Sequence, residues 1–208
     1  MYEELKELII VGDEDKAKEL TQKFLSEGKS ADEILKGGLV AGMDVVGQRF
    51  KEYEMYLPEV IMSATAMKTS MELLKPHLSK SEASSMGTVL IATVEGDVHD
   101  IGKNLVSMML GGAGFRVMDL GVDVQVEKLI EVAEKENGDV IGLSALLTTT
   151  MLALEPSIKM VKEKISGMKV MVGGSPLTQE FADKIGADGF APDALRAINL
   201  TKKLVGKQ

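Results

Sequence analysis

The chain has 208 residues, of which 45% are hydrophobic and 27% are charged, as expected for a globular protein with a buried core. Its net charge of −8 argues against nucleic acid as a partner, because a phosphate backbone requires a basic surface. Cysteine is absent, which excludes disulfides, thiolate metal sites and cysteine nucleophiles. The acidic N-terminus does not resemble a signal peptide, and no apolar run reaches the roughly 18 residues that cross a bilayer. We therefore expect a cytoplasmic protein that acts neither on nucleic acid nor at a membrane.

The first 78 residues have the apolar spacing of helices, and no part of them alternates with the period of a strand. Ser30 and Glu33 form a capping box, and Pro58 stands where a last helix would begin. Four helices with short connections predict a small bundle over residues 1–84, which ends in a serine-rich linker at residues 79–85. The predicted helices cover residues 2–11, 13–26, 30–50 and 58–74.

The second half alternates short β-branched runs with helical patterns. Residues 88–94 (TVLIATV) are apolar throughout, as is typical of a strand that is buried on both faces of a parallel sheet. Five alternations of strand and helix predict an α/β domain over residues 85–208, with a five-stranded, flavodoxin-like (Rossmann-type) parallel sheet. Right-handed crossovers bring the functional loops of such a sheet to the carboxyl ends of its strands. Strands are predicted at residues 88–94, 116–120, 140–144, 169–172 and 189–191, and helices at residues 101–112, 125–137, 150–165, 177–185 and 193–205.

The loop after the first predicted strand holds His99 between two acidic residues, Asp97 and Asp100. A neutral imidazole is a good ligand for a transition metal, and a ligating histidine commonly passes its other N–H to a carboxylate, here Asp97. The spacing fits a different role equally well, in which Asp97 and Asp100 cap the next helix and His99 is exposed to solvent. This half of the sequence offers no second histidine and no carboxylate cluster to complete a metal site. A single protein ligand would suit a metal that a macrocycle already holds, as in a tetrapyrrole-like cofactor.

Two further loops at the same edge of the sheet suit a large ligand. Residues 142–151, at the end of the third strand and beyond it, are rich in small and hydroxyl side chains. Gly173 and Gly174 follow the fourth strand, and adjacent glycines let a flat group approach the backbone closely. The chain has neither the G-x-G-x-x-G pattern of dinucleotide-binding proteins nor a P-loop, so those two phosphate-binding loops are not expected.

Three motifs in this order resemble the cobalamin-binding signature of methionine synthase, of B12-dependent mutases and of the corrinoid proteins of methyltransferase systems. They are D-x-H-x-x-G at residues 97–102, S-x-L at residues 144–146 and the glycine pair at residues 173–174. The N-terminal half is similar to the cap helices of methionine synthase, in GMDVVG at residues 42–47 and YLPEV at residues 56–60. Nearly the whole chain resembles a stand-alone corrinoid protein, such as those that serve methylamines, methanol or methoxyaromatics.

The resemblance implies a role for each matched residue. His99 would replace the nucleotide base as the lower ligand of cobalt, Asp97 would hold its other nitrogen, and Thr150 would complete a proton relay. Three apolar residues of the helical half would shield the upper face of the corrin, with bundle core as their alternative role: Phe50, Leu57 and Val60. The other residues that the resemblance places against the cofactor and its nucleotide tail are Gly96, Val98, Asp100, Ile101, Gly102, Ser144, Leu146, Thr148, Gly173 and Gly174.

The same resemblance implies a methyl carrier that is a non-catalytic component of an enzyme system. A corrinoid, which is cobalamin or a related B12 form, would accept a methyl group on Co(I), with methylcobalamin as the intermediate. The implied partners are a substrate-specific methyltransferase, a second methyltransferase that delivers the methyl group to tetrahydrofolate or coenzyme M, and a reductive activation protein. Residues 144–151 are most similar to the methylamine and quaternary-amine group, so a donor of that class is expected.

Three other interpretations remain open from the sequence. The small B12-binding subunit of a mutase would share the His99 motif, but it gives no reason for cap helices and this chain contains no substrate barrel. A B12-sensing module would require an output domain, and the N-terminal helices include no basic recognition helix. A flavodoxin-like domain with an incidental histidine would leave three ordered motifs unexplained.

Overall fold

A computed structural model of the chain describes residues 2–78 and 86–206. Contacts divide these residues into two compact units, of which the first comprises residues 2–78 with Gly111–Gly114, and the second comprises residues 86–110 and 115–206. The predicted linker at residues 79–85, and the domain boundary predicted between residues 84 and 85, lie outside the described residues. Among the described residues, no helix combines the length and the apolar character that crossing a membrane requires.

The first unit is helical, as predicted. Asp13 caps the second helix by accepting the Lys16 N–H, and Ser30 caps the third by accepting the Glu33 N–H, which confirms both predicted helix starts. The helices are α1 (Glu3–Val11), α2 (Glu14–Ser26), α3 (Ala31–Ile34), α4 (Ala41–Lys51) and α5 (Leu57–Leu74), with a 3-10 turn at Lys75–His77.

One predicted helix of this unit is interrupted. The pattern at residues 30–50 predicts a single helix, whereas α3 and α4 are joined by a π-helical segment, Leu35–Val40. Helix α1 packs closely against this segment, since a Cβ on Gly38 would lie 2.7 Å from Leu5 Cδ2. Leu5 and Leu39 are fully buried there. Sequence periodicity does not reveal such an interruption, because the approach of a distant helix permits it.

The second unit contains the predicted five-stranded parallel sheet, with strand order β2-β1-β3-β4-β5. This is the flavodoxin-like order. In such sheets ligands bind at the carboxyl ends of the two neighbouring strands whose following helices cross to opposite sides, which here are β1 and β3. The strands are β1 (Thr88–Thr93), β2 (Arg116–Asp119), β3 (Val140–Ser144), β4 (Lys169–Gly173) and β5 (Gly189–Phe190). The helices are α6 (Ile101–Gly112), α7 (Val126–Glu136), α8 (Leu154–Lys164), α9 (Gln179–Lys184) and α10 (Ala194–Leu204).

Burial explains why the strand predictions hold. Every residue of β1 is buried, and β3 and β4 are buried at all but their end positions, so their apolar runs are continuous. The helix predicted at residues 150–165 is correct from Leu154 onward but begins as a 3-10 turn, Thr150–Ala153. The helix predicted at residues 177–185 starts at Gln179, because the Thr178 side chain accepts the Phe181 N–H as an N-cap.

The strand register places the three predicted ligand loops side by side. Thr93 at the end of β1 pairs with Ser144 at the end of β3, which pairs in turn with Gly173 at the end of β4. The loops that follow these residues therefore start at the same level of the sheet, and together they form the site described next.

Candidate functional site

The loop between β1 and α6 carries the predicted metal ligand, and backbone bonds hold its shape. The Asp97 N–H donates to the Val94 carbonyl at 3.1 Å, which closes a tight turn. Asp123 lies across from this turn, where its carboxylate accepts the Gly96 N–H at 2.7 Å and its own N–H donates to the Asp97 carbonyl at 2.9 Å. The Thr93 hydroxyl donates to the His99 carbonyl at 2.9 Å. Hydrogen bonds thus hold the backbone on both sides of Asp97.

Asp97 is the centre of this site, and its side chain is fully buried. Its Oδ1 accepts the backbone N–H of His99 at 3.0 Å and contacts Nδ1 of the same residue at 2.8 Å. Its Oδ2 accepts the Leu146 N–H at 2.7 Å and the Thr150 hydroxyl at 2.6 Å. One carboxylate therefore joins the loop after β1 to the loop after β3.

The surroundings of Asp97 keep it ionised. Burial is the largest single effect and acts to raise its pKa, but the hydrogen bonds from Thr150, Leu146 and His99 together outweigh burial and hold the pKa well below its usual range. An ionised carboxylate only accepts hydrogen bonds, so the neutral His99 ring carries its proton on Nδ1 and has a free lone pair on Nε2. The His99 side chain is 46% exposed, which leaves Nε2 open to a ligand.

This geometry separates the two roles that the spacing alone left open. Asp97 binds the imidazole and the next loop rather than capping α6. Asp100 stands at the start of that helix, where its carbonyl accepts the Asn104 N–H at 2.7 Å. His99 is exposed, as the alternative role expected, but Asp97 holds its ring at Nδ1, as a carboxylate that supports a metal ligand would; the ligand role of His99 stays a prediction.

Backbone segments pack closely against each other at the ends of β3 and β4. Gly174 has φ +141°, and a Cβ at this position would lie 1.9 Å from the Ala145 carbonyl oxygen. A Cβ on Gly173 would lie 3.0 Å from the Ala191 carbonyl oxygen. A side chain at either position would collide with a neighbouring carbonyl group or crowd it, so glycine permits the close approach of these backbone segments.

The protein offers one metal-binding nitrogen at this site, on His99, which suits a metal whose other ligands come from a macrocycle. Among residues 2–78 and 86–206, no group of three or more histidine, cysteine, aspartate or glutamate side chains is placed to hold a metal ion. His99 offers one nitrogen, and Asp97 holds the ring from behind rather than pointing to the same metal. A metal bound in a macrocycle needs just such a single axial donor, so the residues fit a corrinoid.

Comparison with known proteins decides the family. Two family models match the chain, each described as a B12 binding domain, one over residues 87–199 and the other over residues 1–75. The chain belongs to the B12-binding corrinoid proteins. The resemblance inferred from its motifs is confirmed, and the cofactor of this corrinoid protein is a corrinoid, whose metal is cobalt.

Several relatives match this corrinoid protein over nearly its full length. A corrinoid protein of Desulfitobacterium hafniense is 46% identical, over 100% of this chain and 98% of the relative. A dimethylamine corrinoid protein of Methanosarcina acetivorans is 42% identical, over 99% of this chain and 97% of the relative. Among solved structures, the methanol:cobalamin methyltransferase complex of Methanosarcina barkeri has a TM-score of 0.87 and 32% identity, over 98% of this chain and 79% of that one.

The structure brings most of the predicted site residues together at one edge of the second unit. Thr150 is almost fully buried against Asp97, and Ser144 lies beside Gly173 in the sheet. The other predicted residues at this edge are exposed or partly exposed: Gly96, Val98, Asp100, Ile101, Gly102, Leu146, Thr148, Gly173 and Gly174.

The three predicted cap residues belong to the first unit. Val60 is fully buried, which fits its alternative role in the bundle core. Leu57 is 39% exposed and Phe50 is partly exposed, so these two side chains remain open to a ligand. A role in shielding the methyl group remains a prediction for all three.

Sequence reasoning missed four residues that shape the site: Thr93, Lys103, Asp119 and Asp123. Two of them carried a visible signal, because Asp119 and Asp123 stand at the end of the second strand and just after it, at the same edge as His99. Thr93 looks like any β-branched strand residue, and Lys103 looks like an ordinary solvent-facing helix residue. Their roles depend on contacts that the sequence does not display.

Proposed function

We propose that the chain carries a methyl group between two methyltransferases, with His99 as the protein ligand of the corrinoid cobalt. The observation that carries this proposal is the Asp97–His99 pair, in which a buried carboxylate holds Nδ1 and leaves Nε2 free at the ligand-binding edge of the sheet. When bound, the corrinoid supplies a cobalt ion that takes up and gives away the methyl group.

The chain's own residues orient and tune the ligand. Asp97 fixes the His99 tautomer, because its ionised carboxylate accepts a hydrogen bond from the proton that Nδ1 carries. Thr150 donates a hydrogen bond to the same carboxylate and can accept one from the Leu147 N–H, so Asp97, His99 and Thr150 form a relay in which a proton can be held when Nε2 is unligated. We assign the nucleotide tail of the corrinoid to the edge of the sheet where Ser144 pairs with Gly173, next to Gly174, Leu146 and Thr148.

The methyl donor that fits best is a methylated amine. Relatives that match nearly the full length of this chain at 40–43% identity are named dimethylamine and trimethylamine corrinoid proteins. Corrinoid proteins work with methyltransferases, as the methanol:cobalamin methyltransferase complex illustrates. We infer that a methylamine or quaternary-amine methyltransferase loads this chain, that a second methyltransferase moves the methyl group to tetrahydrofolate or coenzyme M, and that a reductive activation protein restores the reduced cobalt.

Isotope labelling of histidine tests the central bond directly. The full chain is produced with ¹⁵N-histidine, loaded with cobalamin and reduced to the Co(II) state, and its electron paramagnetic resonance spectrum is recorded. Coordination by His99 should give a doublet superhyperfine pattern from ¹⁵N, whereas unlabelled protein should give a triplet. His77→Ala should keep the doublet and His99→Ala should lose it. A triplet from the labelled chain would mean that the cofactor's own base is still on the cobalt, and the proposal would then be wrong.

Methyl transfer tests the donor class. The loaded and reduced chain is mixed with purified methyltransferases for dimethylamine, trimethylamine, a quaternary amine and methanol, each with its substrate. We expect conversion to the methylated corrinoid spectrum with an amine enzyme and little with the methanol enzyme. Methylation by the methanol enzyme alone would contradict the amine assignment and leave the carrier role intact.

A further inference from the structure

Lys103 is a buried lysine that the proposed function does not use. Its side chain is 2% exposed and lies in the first turn of α6. Its ammonium group donates to both carboxylate oxygens of Asp119 at 2.5 Å and to Oδ1 of Asn104 at 2.7 Å. A buried charge is costly unless it is paired and hydrogen-bonded, and Lys103 meets both conditions.

These contacts continue to the residue that follows His99. The Asn104 side chain donates from Nδ2 to the Asp100 carboxylate at 3.0 Å, and the Asn104 N–H donates to the Asp100 carbonyl at 2.7 Å. Asp119, Lys103, Asn104 and Asp100 thus form an unbroken series of polar contacts, which we call the Lys103 network.

The far end of the Lys103 network is anchored in the sheet. Asp119 is the last residue of β2 and pairs with Ile91 in β1. Its carboxylate also accepts the Gly121 N–H at 2.9 Å and contacts the Ser107 hydroxyl at 3.3 Å. The network therefore ties the start of α6, and with it Asp100, to the end of β2.

We propose that Lys103 and Asn104 are positioning residues for the His99 ligand. Asp97 holds the imidazole ring and Thr93 holds the His99 carbonyl, while the Lys103 network holds the residue on the other side of His99. This inference rests on the proposed function, in which His99 is the protein ligand of the corrinoid cobalt. A loop that keeps its conformation while the bond is broken loses less entropy when the bond forms again.

Three single variants separate this role from a contribution to stability alone. Lys103→Met removes the ammonium group, and Asn104→Ala keeps the Lys103–Asp119 pair but cuts its connection to Asp100. Ser107→Ala is the matched control, since Ser107 lies on the same helix and contacts the same Asp119 carboxylate but has no hydrogen bond to Asp100 in the structure.

The first measurement uses the cofactor-free chain. Amide hydrogen exchange is followed at His99 and Asn104, whose N–H groups are hydrogen-bonded, with the amides of β3 as the internal reference for global unfolding. Lys103→Met and Asn104→Ala should each speed exchange at these two positions about tenfold relative to the reference, which corresponds to about 1.4 kcal/mol. Ser107→Ala should leave the ratio unchanged.

The second measurement uses the loaded chain. In the Co(II) spectrum, the fraction of molecules that show histidine nitrogen splitting should fall severalfold in Lys103→Met and Asn104→Ala, and not in Ser107→Ala. A residue with a purely structural role would lower the melting temperature without changing this fraction in the molecules that remain folded.

The outcomes are distinct. Unchanged exchange at His99 in folded Asn104→Ala and Lys103→Met would overturn the inference. If Lys103→Met fails to fold, Asn104→Ala decides the question by itself, because it leaves the ion pair in place. If the chain takes up no corrinoid, the proposed function fails, while exchange in the cofactor-free chain still decides whether the Lys103 network holds the loop.

Discussion

Replacing Asp97 by asparagine exchanges one carboxylate oxygen for an amide NH2 group and leaves the size of the side chain almost unchanged. The two oxygens of Asp97 serve different partners, His99 on one side and Leu146 with Thr150 on the other. Asparagine has one acceptor oxygen, so its NH2 group must face either the His99 N–H or the Leu146 N–H. Neither backbone group can turn away, and each orientation therefore leaves one partly buried backbone donor without its acceptor.

The size of the effect follows from these bonds. A hydrogen bond to a charged group contributes about 1.5–3 kcal/mol, and an unsatisfied buried donor costs about 1–3 kcal/mol. One backbone donor is orphaned and the remaining bonds lose their charged acceptor, so we expect Asp97→Asn to lower the free energy of unfolding by about 2–4 kcal/mol. That is a large share of the roughly 5–15 kcal/mol that holds a typical domain folded.

Urea unfolding of the cofactor-free chain measures this difference. The denaturant dependence should stay the same while the midpoint falls, because the variant exposes the same surface on unfolding. Glu95→Gln is the matched control, since Glu95 is an exposed carboxylate in the same loop, and its unfolding free energy should stay within about 0.5 kcal/mol of the parent. A similarly small change for Asp97→Asn would show that these bonds do not hold the site together.

Three further predictions use the same unfolding assay. Folding lowers the pKa of Asp97, so its contribution should be complete above its usual value of about 4 and be lost as the pH falls below it. Urea titrations across this range should therefore show a shallower loss of stability for Asp97→Asn than for the parent, and equal slopes would contradict the assignment. Thr150→Val should cost about 1.5–3 kcal/mol because it removes the hydroxyl donor to Asp97, whereas Thr150→Ser should recover most of that loss; equal costs for both would count against the hydrogen bond. Gly174→Ala should destabilise the chain by more than about 3 kcal/mol, since its Cβ would lie 1.9 Å from the Ala145 carbonyl oxygen. Gly111→Ala meets no atom within 4 Å and should be neutral or stabilising by up to about 1 kcal/mol; similar values for the two glycines would refute the close backbone packing described at Gly174.

The three central strands of the sheet, β1, β3 and β4, were predictable because they are buried on both faces. The interiors of β1, β3 and β4 are uninterrupted apolar runs, and a run of that kind has few other stable environments in a globular domain. Once the strands are placed in order, the topology brings His99, Ser144 and Gly173 to one edge. The location of the site therefore follows from the pattern and from the handedness of the connections.

The partners of Asp97 were harder to foresee. Leu146 and Thr150 lie 49 and 53 residues further along the chain, and the bond from Leu146 comes from its backbone N–H. A backbone donor is available at almost every residue, so the side-chain sequence does not mark this one. The motif resemblance supplied Thr150, but the donor at Leu146 is visible in the structure alone.

Two other features depend on contacts between distant segments. The π-helical segment Leu35–Val40 exists where α1 approaches Gly38, and no local pattern in residues 30–50 encodes that approach. The position of Lys103 in its helix predicts a side chain that faces solvent. Its ammonium group is instead buried against the carboxylate of Asp119, 16 residues further along the chain. The spacing of apolar residues in the sequence does not predict contacts between residues that are this far apart in the chain.

The row formed by Thr93, Ser144 and Gly173 has a consequence for how this scaffold tolerates change. The loops that follow these three residues start at the same level of the sheet because main-chain hydrogen bonds between the strands fix the register. The side chains of the loops do not set that level. A slip of two residues in the register of one strand would shift the loop after it by about 7 Å along the sheet relative to the neighbouring loops. Such a shift would break the contacts that Asp97 makes between the loops after β1 and β3. Exposed positions beyond the row that make none of the hydrogen bonds around Asp97 are therefore free to vary, because substitutions there change neither this level nor those bonds.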